Sequence, residues 1–240
     1  MELKHETIII TGGTSGIGLE MAEQLSALGN TVIVTGRNPE RLAQLRRSHP
    51  QLHTYSVEVT DLASIESFYK QVVADFPNVN ILINNAGLMQ PVTFADWPAA
   101  GITDEVTVNL AGPILMTQVF LPHLLRQQES AILNVTSGIA YFAFDKAPIY
   151  SASKLGLHSY TQTLRKQLRG TSVRVFELAP PRTTKPMFNG SEADNREVDR
   201  VPRMPIPQVV AAMIAGMRKN RHTILPGMSK LLRIMGKIQL

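Results

Sequence analysis

Tyr150 and Lys154 stand four residues apart in the run YSASK, a spacing that puts both side chains on one face of a helix, one turn apart. A phenol beside an ammonium can act as an acid/base pair. Free tyrosine titrates near pH ~10, and a fixed positive charge nearby favours the phenolate, so the pairing predicts a pKa drawn towards neutrality. Tyrosine and lysine also meet by chance at this spacing on helix surfaces. The rest of the chain has to supply the context.

That context starts with Thr7-Ile8-Ile9-Ile10-Thr11, a β-branched apolar run that reads as a short buried strand. It leads into TGGTSGIG, with Gly12, Gly13, Gly16 and Gly18, and then into LEMAEQLSALG, an amphipathic helical pattern. Strand, glycine-rich turn and helix are the setting of a dinucleotide-binding loop. Glycine allows the tight turn and lets backbone N–H groups approach a pyrophosphate at the positive end of the helix. The same alternation continues along the chain. Strands are predicted at 7–11, 31–36, 52–59, 80–85, 130–136, 172–178 and 222–226, and helices near 16–28, 39–47, 61–75, 102–127, 150–169 and 207–219. Such alternation implies right-handed βαβ units, hence an α/β, doubly wound, seven-stranded parallel sheet with helices on both faces. Near-continuous apolar strands such as TVIVTG suit burial on both faces.

In that arrangement the chemistry-bearing residues all follow strand ends. The glycine loop follows strand one, Asn84-Asn85-Ala86-Gly87 follows strand four, Ser137 follows strand five and Ala179-Pro180 follows strand six. Ligands of open α/β sheets bind beyond the carboxyl ends of the strands.

TGGTSGIG, NNAG, Asn109, Ser137 and Tyr150-xxx-Lys154, in this order and spacing, resemble the short-chain dehydrogenase/reductase family, and within it the DltE-like bacterial oxidoreductases. The resemblance runs from Thr7 to about Gly227. It implies a Rossmann-type domain over residues 1–240 that moves a hydride between a nicotinamide and a carbonyl or secondary alcohol. It further implies that Tyr150 exchanges a proton with the substrate oxygen, that Ser137 orients that oxygen, that Lys154 tunes the phenol and holds the ribose, and that Asn109 props a water beside the lysine. Gly12, Thr14, Ser15, Gly16, Ile17, Gly18, Asn85, Ala86, Gly87, Pro180 and Thr183 fall on the cofactor positions, together with Tyr150 and Lys154. Glu58 and Val59 fall near the adenine, where relatives carry Asp. The family's PGxxxT appears as Pro180-Pro181-Arg182-Thr183-Thr184-Lys185, which leaves Thr183 to meet the carboxamide. Residues 183–207 correspond to a substrate lid, with Met187 facing substrate. Relatives pair their two long helices into a four-helix interface, so a homodimer or homotetramer is expected.

Cofactor choice is legible after strand two. A carboxylate there would bind ribose hydroxyls and repel a 2′-phosphate. The chain instead has Gly36-Arg37-Asn38, and the planar guanidinium of Arg37 suits a phosphate. NADP is expected rather than NAD, although Arg37 can also be read as an exposed arginine ahead of a helix capped by Asn38.

Composition narrows the alternatives. Two hundred and forty residues suffice for one α/β domain, and 44% hydrophobic with 18% charged residues describes a globular chain. Without cysteine there is no thiolate metal site or cysteine nucleophile, and the histidines form no paired-ligand motif, so no metal is expected. Ser137 lies in VTSGI, not GxSxG. The net charge of +5 is spread and interleaved with acids, which reads as a solvated surface rather than a nucleic-acid site. The polar start MELKHE and the lack of a long apolar run predict a cytoplasmic protein. Residues 228–240 read as a basic amphipathic tail that packs on protein in preference to an anionic membrane, with Gly236 interrupting its helix. A non-redox enzyme on the same fold and a dinucleotide-sensing binding protein are the competing readings. His158 reads as a plain helix-face histidine. A loop from Gly138 to Phe144, with Met89, Met187 and Phe188, suggests an apolar substrate pocket.

Overall fold

The structure is a computed structural model that describes residues 1–90, 99–142, 144–184 and 202–236. Seven parallel strands are ordered β3-β2-β1-β4-β5-β6-β7. They are β1 (Thr7–Thr11), β2 (Thr31–Gly36), β3 (His53–Ser56), β4 (Val79–Asn84), β5 (Ser130–Val135), β6 (Val173–Leu178) and β7 (Thr223–Ile224). Between them run α1 (Gly16–Ala27), α2 (Pro39–Ser48), α3 (Leu62–Asp75), α4 (Ala99–Val106), α5 (Gly112–Leu124), α6 (Pro148–Gln167) and α7 (Ile206–Arg218), and α8 (Ser229–Gly236) follows β7.

The sheet forms because its strands are apolar on both sides. Ile8, Ile9 and Ile10 are wholly buried, Ile8 and Ile10 towards the α1/α7 side and Ile9 towards the α3/α5 side. Burying each such side chain is worth ~1.5–3 kcal/mol. Helix starts are set by local chemistry. Asn38 caps α2 by accepting from the Arg41 N–H at 2.9 Å, Asp61 caps α3 through the Ala63 N–H, and proline opens α2 and α6.

Three predicted elements differ in an informative way. The helix expected over 102–127 is divided into α4, a π-helical turn (Thr107–Ala111) and α5. The wider turn lies where Asn109 reaches sideways to a neighbouring loop, and Gly112 beyond it abuts the carbonyl of Val59. The strands expected over 52–59 and 222–226 shrink to His53–Ser56 and Thr223–Ile224. Both lie at sheet edges, where one partner strand supports the ladder.

The described part of the tail is helix α8. Gly236, the last described residue, packs on the backbone of Tyr141: a Cβ there would come within 1.6 Å of the Tyr141 carbonyl oxygen. Leu231, Ile234 and Met235 remain exposed. Residues 237–240 lie outside the described part. Among the described residues no helix is long and apolar enough to cross a membrane.

Gly236→Val should therefore push α8 away from Tyr141. The expected cost is ~1–3 kcal/mol of stability, read as a lower denaturant midpoint; an unchanged midpoint would show that α8 is not docked as described.

Candidate active site

Strand β1 pairs with β2 on one side and β4 on the other, which makes the β1/β4 boundary the point where the winding reverses. Side chains seal that boundary. The Thr11 hydroxyl oxygen accepts from the N–H groups of Asn85 and Ala86, both at 3.0 Å. In return Asn85 Nδ2 donates to the carbonyls of Thr11 (3.0 Å) and Gly12 (3.1 Å). Gly12 has φ +64°, and a Cβ there would lie 2.8 Å from Ala86 Cα. A Cβ on Gly18 would lie 2.5 Å from Asn85 Nδ2. The glycine loop and the NNAG turn thus fit only without side chains at these two positions. Behind them Asn84 donates to Asn134 (2.8 Å), which donates to Thr161 (2.9 Å), tying β4 and β5 to α6 through buried amides.

Helix α6 carries Tyr150 and Lys154 into this corner, where they are 4% and 3% exposed. Lys154 Nζ donates to the Val135 carbonyl at 2.9 Å, at the end of β5. A Cβ on Gly87 would lie 3.5 Å from Nζ and 3.3 Å from Asn109 Oδ1, so the NNAG turn, Asn109 and Lys154 share one small space. Asn109 is wholly buried. It accepts from Leu88 N–H (2.8 Å) and donates to Leu88 C=O (2.7 Å) and to Ser153 Oγ (3.2 Å). Its side chain fastens the loop after β4. Ser137 caps the 3₁₀ turn Gly138–Tyr141 and hydrogen-bonds to Tyr150.

The electrostatics correct one expectation. The phenol of Tyr150 is not drawn towards neutrality: burial pushes it up to about 12, Ser137 pulls it down, and the charge of Glu105 raises it further. Burial also brings Lys154 down to about 8, against the opposing effect of Glu105. At neutral pH the protein alone holds a protonated phenol next to an ammonium. That is the state of a proton donor.

The glycine loop fits the pyrophosphate of a dinucleotide. Ser15 is the N-cap of α1, yet its side chain makes no capping bond, so the first amides of α1 remain open to an anion. Gly16 has φ +59° and turns the chain into the helix. Thr14, Ser15, Gly16, Ile17 and Gly18 line this turn, and Thr14 touches the end of β2, since a Cβ on Gly36 would lie 2.8 Å from its methyl. Arg37 therefore stands at the outer edge of the loop. Its side chain is 71% exposed and lies 4.0 Å from Glu58, whose other oxygen accepts from Thr60 N–H. Val59 is buried next to Gly112.

On the opposite wall the Pro180 carbonyl accepts from Gly138 N–H at 2.8 Å, joining the ends of β5 and β6. Thr183 is buried and bridges to Met204, so both ends of the expected lid are pinned at one neck. Met187, Lys185 and Phe188 lie outside the described residues. Met89, Ile139, Phe144 and Ala147 pack around Tyr150 as an apolar cluster.

Two acids escaped the sequence reading. Glu105, on α4, and Glu177, on β6, are both wholly buried. Glu177 accepts from Thr136 (2.8 Å), Tyr141 (3.0 Å) and His158 (2.9 Å), so the helix-face His158 ties α6 to β6. An acid on a strand, or a turn before an asparagine, reads as surface when only periodicity is used. The even spacing Glu105–Asn109 was the available signal. Among the described residues no three His, Asp or Glu side chains converge as a metal site.

Comparison with known proteins matches this geometry. Residues 6–196 match the family described as short chain dehydrogenase. The chain is 42% identical over 183 residues to the uncharacterized oxidoreductase DltE of Bacillus subtilis, covering 75% of this chain and 73% of that one. A short chain dehydrogenase from Burkholderia cenocepacia, solved in complex with NADP, superposes with a TM-score of 0.82 at 26% identity, over 97% of this chain and 92% of the other. One from Burkholderia phymatum, solved with NAD, gives 0.86 at 23% identity, over 100% and 96%. A seven-stranded doubly wound sheet, the ordered motifs and these likenesses agree: the chain belongs to the short-chain dehydrogenase/reductase family of oxidoreductases.

Proposed function

We propose that this chain is a cytoplasmic NADP-dependent oxidoreductase that exchanges a hydride with the carbonyl or secondary alcohol carbon of an apolar small molecule. The observation that carries the reading is the buried Ser137–Tyr150–Lys154 corner opening beside an uncapped α1 N-terminus. A nicotinamide dinucleotide supplies the hydride carrier. Thr14 to Gly18 and Asn85 to Gly87 would hold it, with Lys154 at its ribose and Pro180 and Thr183 beside the nicotinamide. Glu58 and Val59 would flank the adenine.

The chain's own groups then place and protonate the substrate. The Ser137 hydroxyl donates to the substrate oxygen and aligns the carbonyl. The Tyr150 phenol, held protonated by burial, gives its proton to that oxygen as negative charge grows on it, and the Lys154 ammonium stabilises the phenolate left behind. In the oxidative direction each step reverses. Met89, Ile139 and Phe144 exclude water from the reacting carbon and favour apolar substituents, with Met187 assigned to the same wall and residues 183–207 to a lid.

NADP is supported by Arg37, the exposed cation at the end of β2. Glu58 at 4.0 Å from it favours NAD, since an acid at that edge can take ribose hydroxyls. An exposed pair of this kind holds Arg37 only weakly, and the guanidinium remains available to a phosphate. A homodimer or homotetramer built on the two long helices is part of the same proposal. Leu155, 53% exposed on α6, supports the same pairing here between copies of the chain.

The test is a screen of ketones and alcohols with both cofactors, following the near-ultraviolet absorbance of the reduced nicotinamide. Tyr150→Phe keeps the ring and loses the proton. It should lower kcat by ~10²–10⁴-fold and leave dinucleotide affinity within a few-fold; activity near wild type would remove Tyr150 from the proton step. Arg37→Asp should move the ratio of kcat/KM from NADPH towards NADH, and an unchanged ratio would make Arg37 a surface residue only. Light scattering at micromolar concentration should give a dimer or tetramer, and a monomer would refute the α6 pairing.

A further inference from the structure

Glu105 lies four residues before Asn109, at the end of α4, and is wholly buried. One carboxylate oxygen accepts from the Gln90 N–H at 3.0 Å. The other is buried without a hydrogen-bond partner among the described residues. Helix α4 packs on α6, and Gln90 follows Met89, which is itself packed against Tyr150. Glu105 and Asn109 therefore clamp the same connection one turn apart, Asn109 at Leu88 and Glu105 at Gln90.

A main-chain clamp needs only an acceptor, which a glutamine amide supplies. A buried carboxylate also brings a charge, at considerable desolvation cost. Among the described residues, the charged or titratable groups that face it are Lys154 and Tyr150, both from α6. The described loop Asn85–Gln90 and the π turn Thr107–Ala111 contribute none, and Asp104 on α4 itself is exposed.

We propose that Glu105 is a positioning residue of the proton-transfer site, whose buried carboxylate holds Gln90 in place and sets the charge felt by Tyr150 and Lys154. This rests on the assignment of Tyr150 and Lys154 above. A negative charge there favours the ammonium and disfavours the phenolate, so it holds both protons on. Burial raises Glu105 itself above the usual carboxylate range, with Lys154 opposing that rise. Glu105, Tyr150 and Lys154 are thus coupled, and three side chains, not two, determine how activity follows pH.

Glu105→Gln keeps the acceptor for Gln90 and deletes the charge. Removing a negative charge lowers the pKa of both neighbours, so the Tyr150-dependent limb of the kcat/KM profile should move to lower pH. The expected shift is about half a pH unit or more. Glu105→Leu, which loses the clamp as well, should raise KM beyond the effect of Glu105→Gln. A Glu105→Gln profile that superposes on the wild type would reduce Glu105 to a structural clamp and overturn the proposal. A second measurement uses the wild-type fold and needs no turnover: the ¹³C carboxyl resonance of Glu105, followed against pH in wild type and Lys154→Met. Its midpoint should rise when the ammonium is removed. An unmoved midpoint overturns the proposal whether or not a substrate is known, and failure to find hydride transfer leaves this result intact.

Discussion

Lys154 carries its ammonium almost entirely out of water, and the surrounding structure answers to that one constraint. A buried cation needs acceptors and close backbone, and both come from strand ends. The Val135 carbonyl accepts a hydrogen bond from the ammonium at 2.9 Å, and the backbone of Gly87 lies alongside Nζ. Val135 ends β5 and Gly87 lies in the turn after β4, two strands whose spacing is held by the Asn84–Asn134 amide contact. The same β4 turn is stapled to the glycine loop through Thr11 and Asn85. The position of the lysine, the openness of the cofactor loop and the register of the central strands are consequently one problem with one solution.

Desolvation also fixes the direction of the chemistry in the protein alone. A charge-only argument has the ammonium acidify Tyr150, but burial acts on the phenol more strongly and keeps it protonated. Lys154, brought down to about 8, still carries its charge near neutral pH. The pair is a neutral acid beside a cation, the form in which the proposed proton donor would act. Ser137 and Glu105 act on it in opposite senses, one lowering and one raising the phenol.

Much of this was legible in the sequence because it rests on spacing. The strand–glycine–helix pattern, the alternation of strands and helices, and the Tyr150–Lys154 step each reflect a backbone period, and the sheet, α1 and α6 follow. What escaped notice depends on contacts across the chain. Glu105 and Glu177 sit on regular elements, and nothing in periodicity tells a buried acid from a solvated one until its partners are seen. The π turn at Asn109 answers to Leu88, twenty-one residues away. Gly236 reads as a helix breaker, yet is small because Tyr141 presses against it. Arg37 was legible as a residue but not in its setting, because Glu58 arrives beside it from the turn beyond β3.

The central claim is that this corner passes a hydride between cofactor and substrate while Tyr150 and Lys154 handle the proton. The most direct measurement uses NADPH carrying deuterium at both C4 positions, with a ketone that the enzyme accepts, and mass spectrometry of the product. Deuterium on the carbinol carbon with wild-type protein, and its loss with Lys154→Met, is the predicted result. Product formed without deuterium on carbon, or label transfer undiminished in Lys154→Met, would contradict the account.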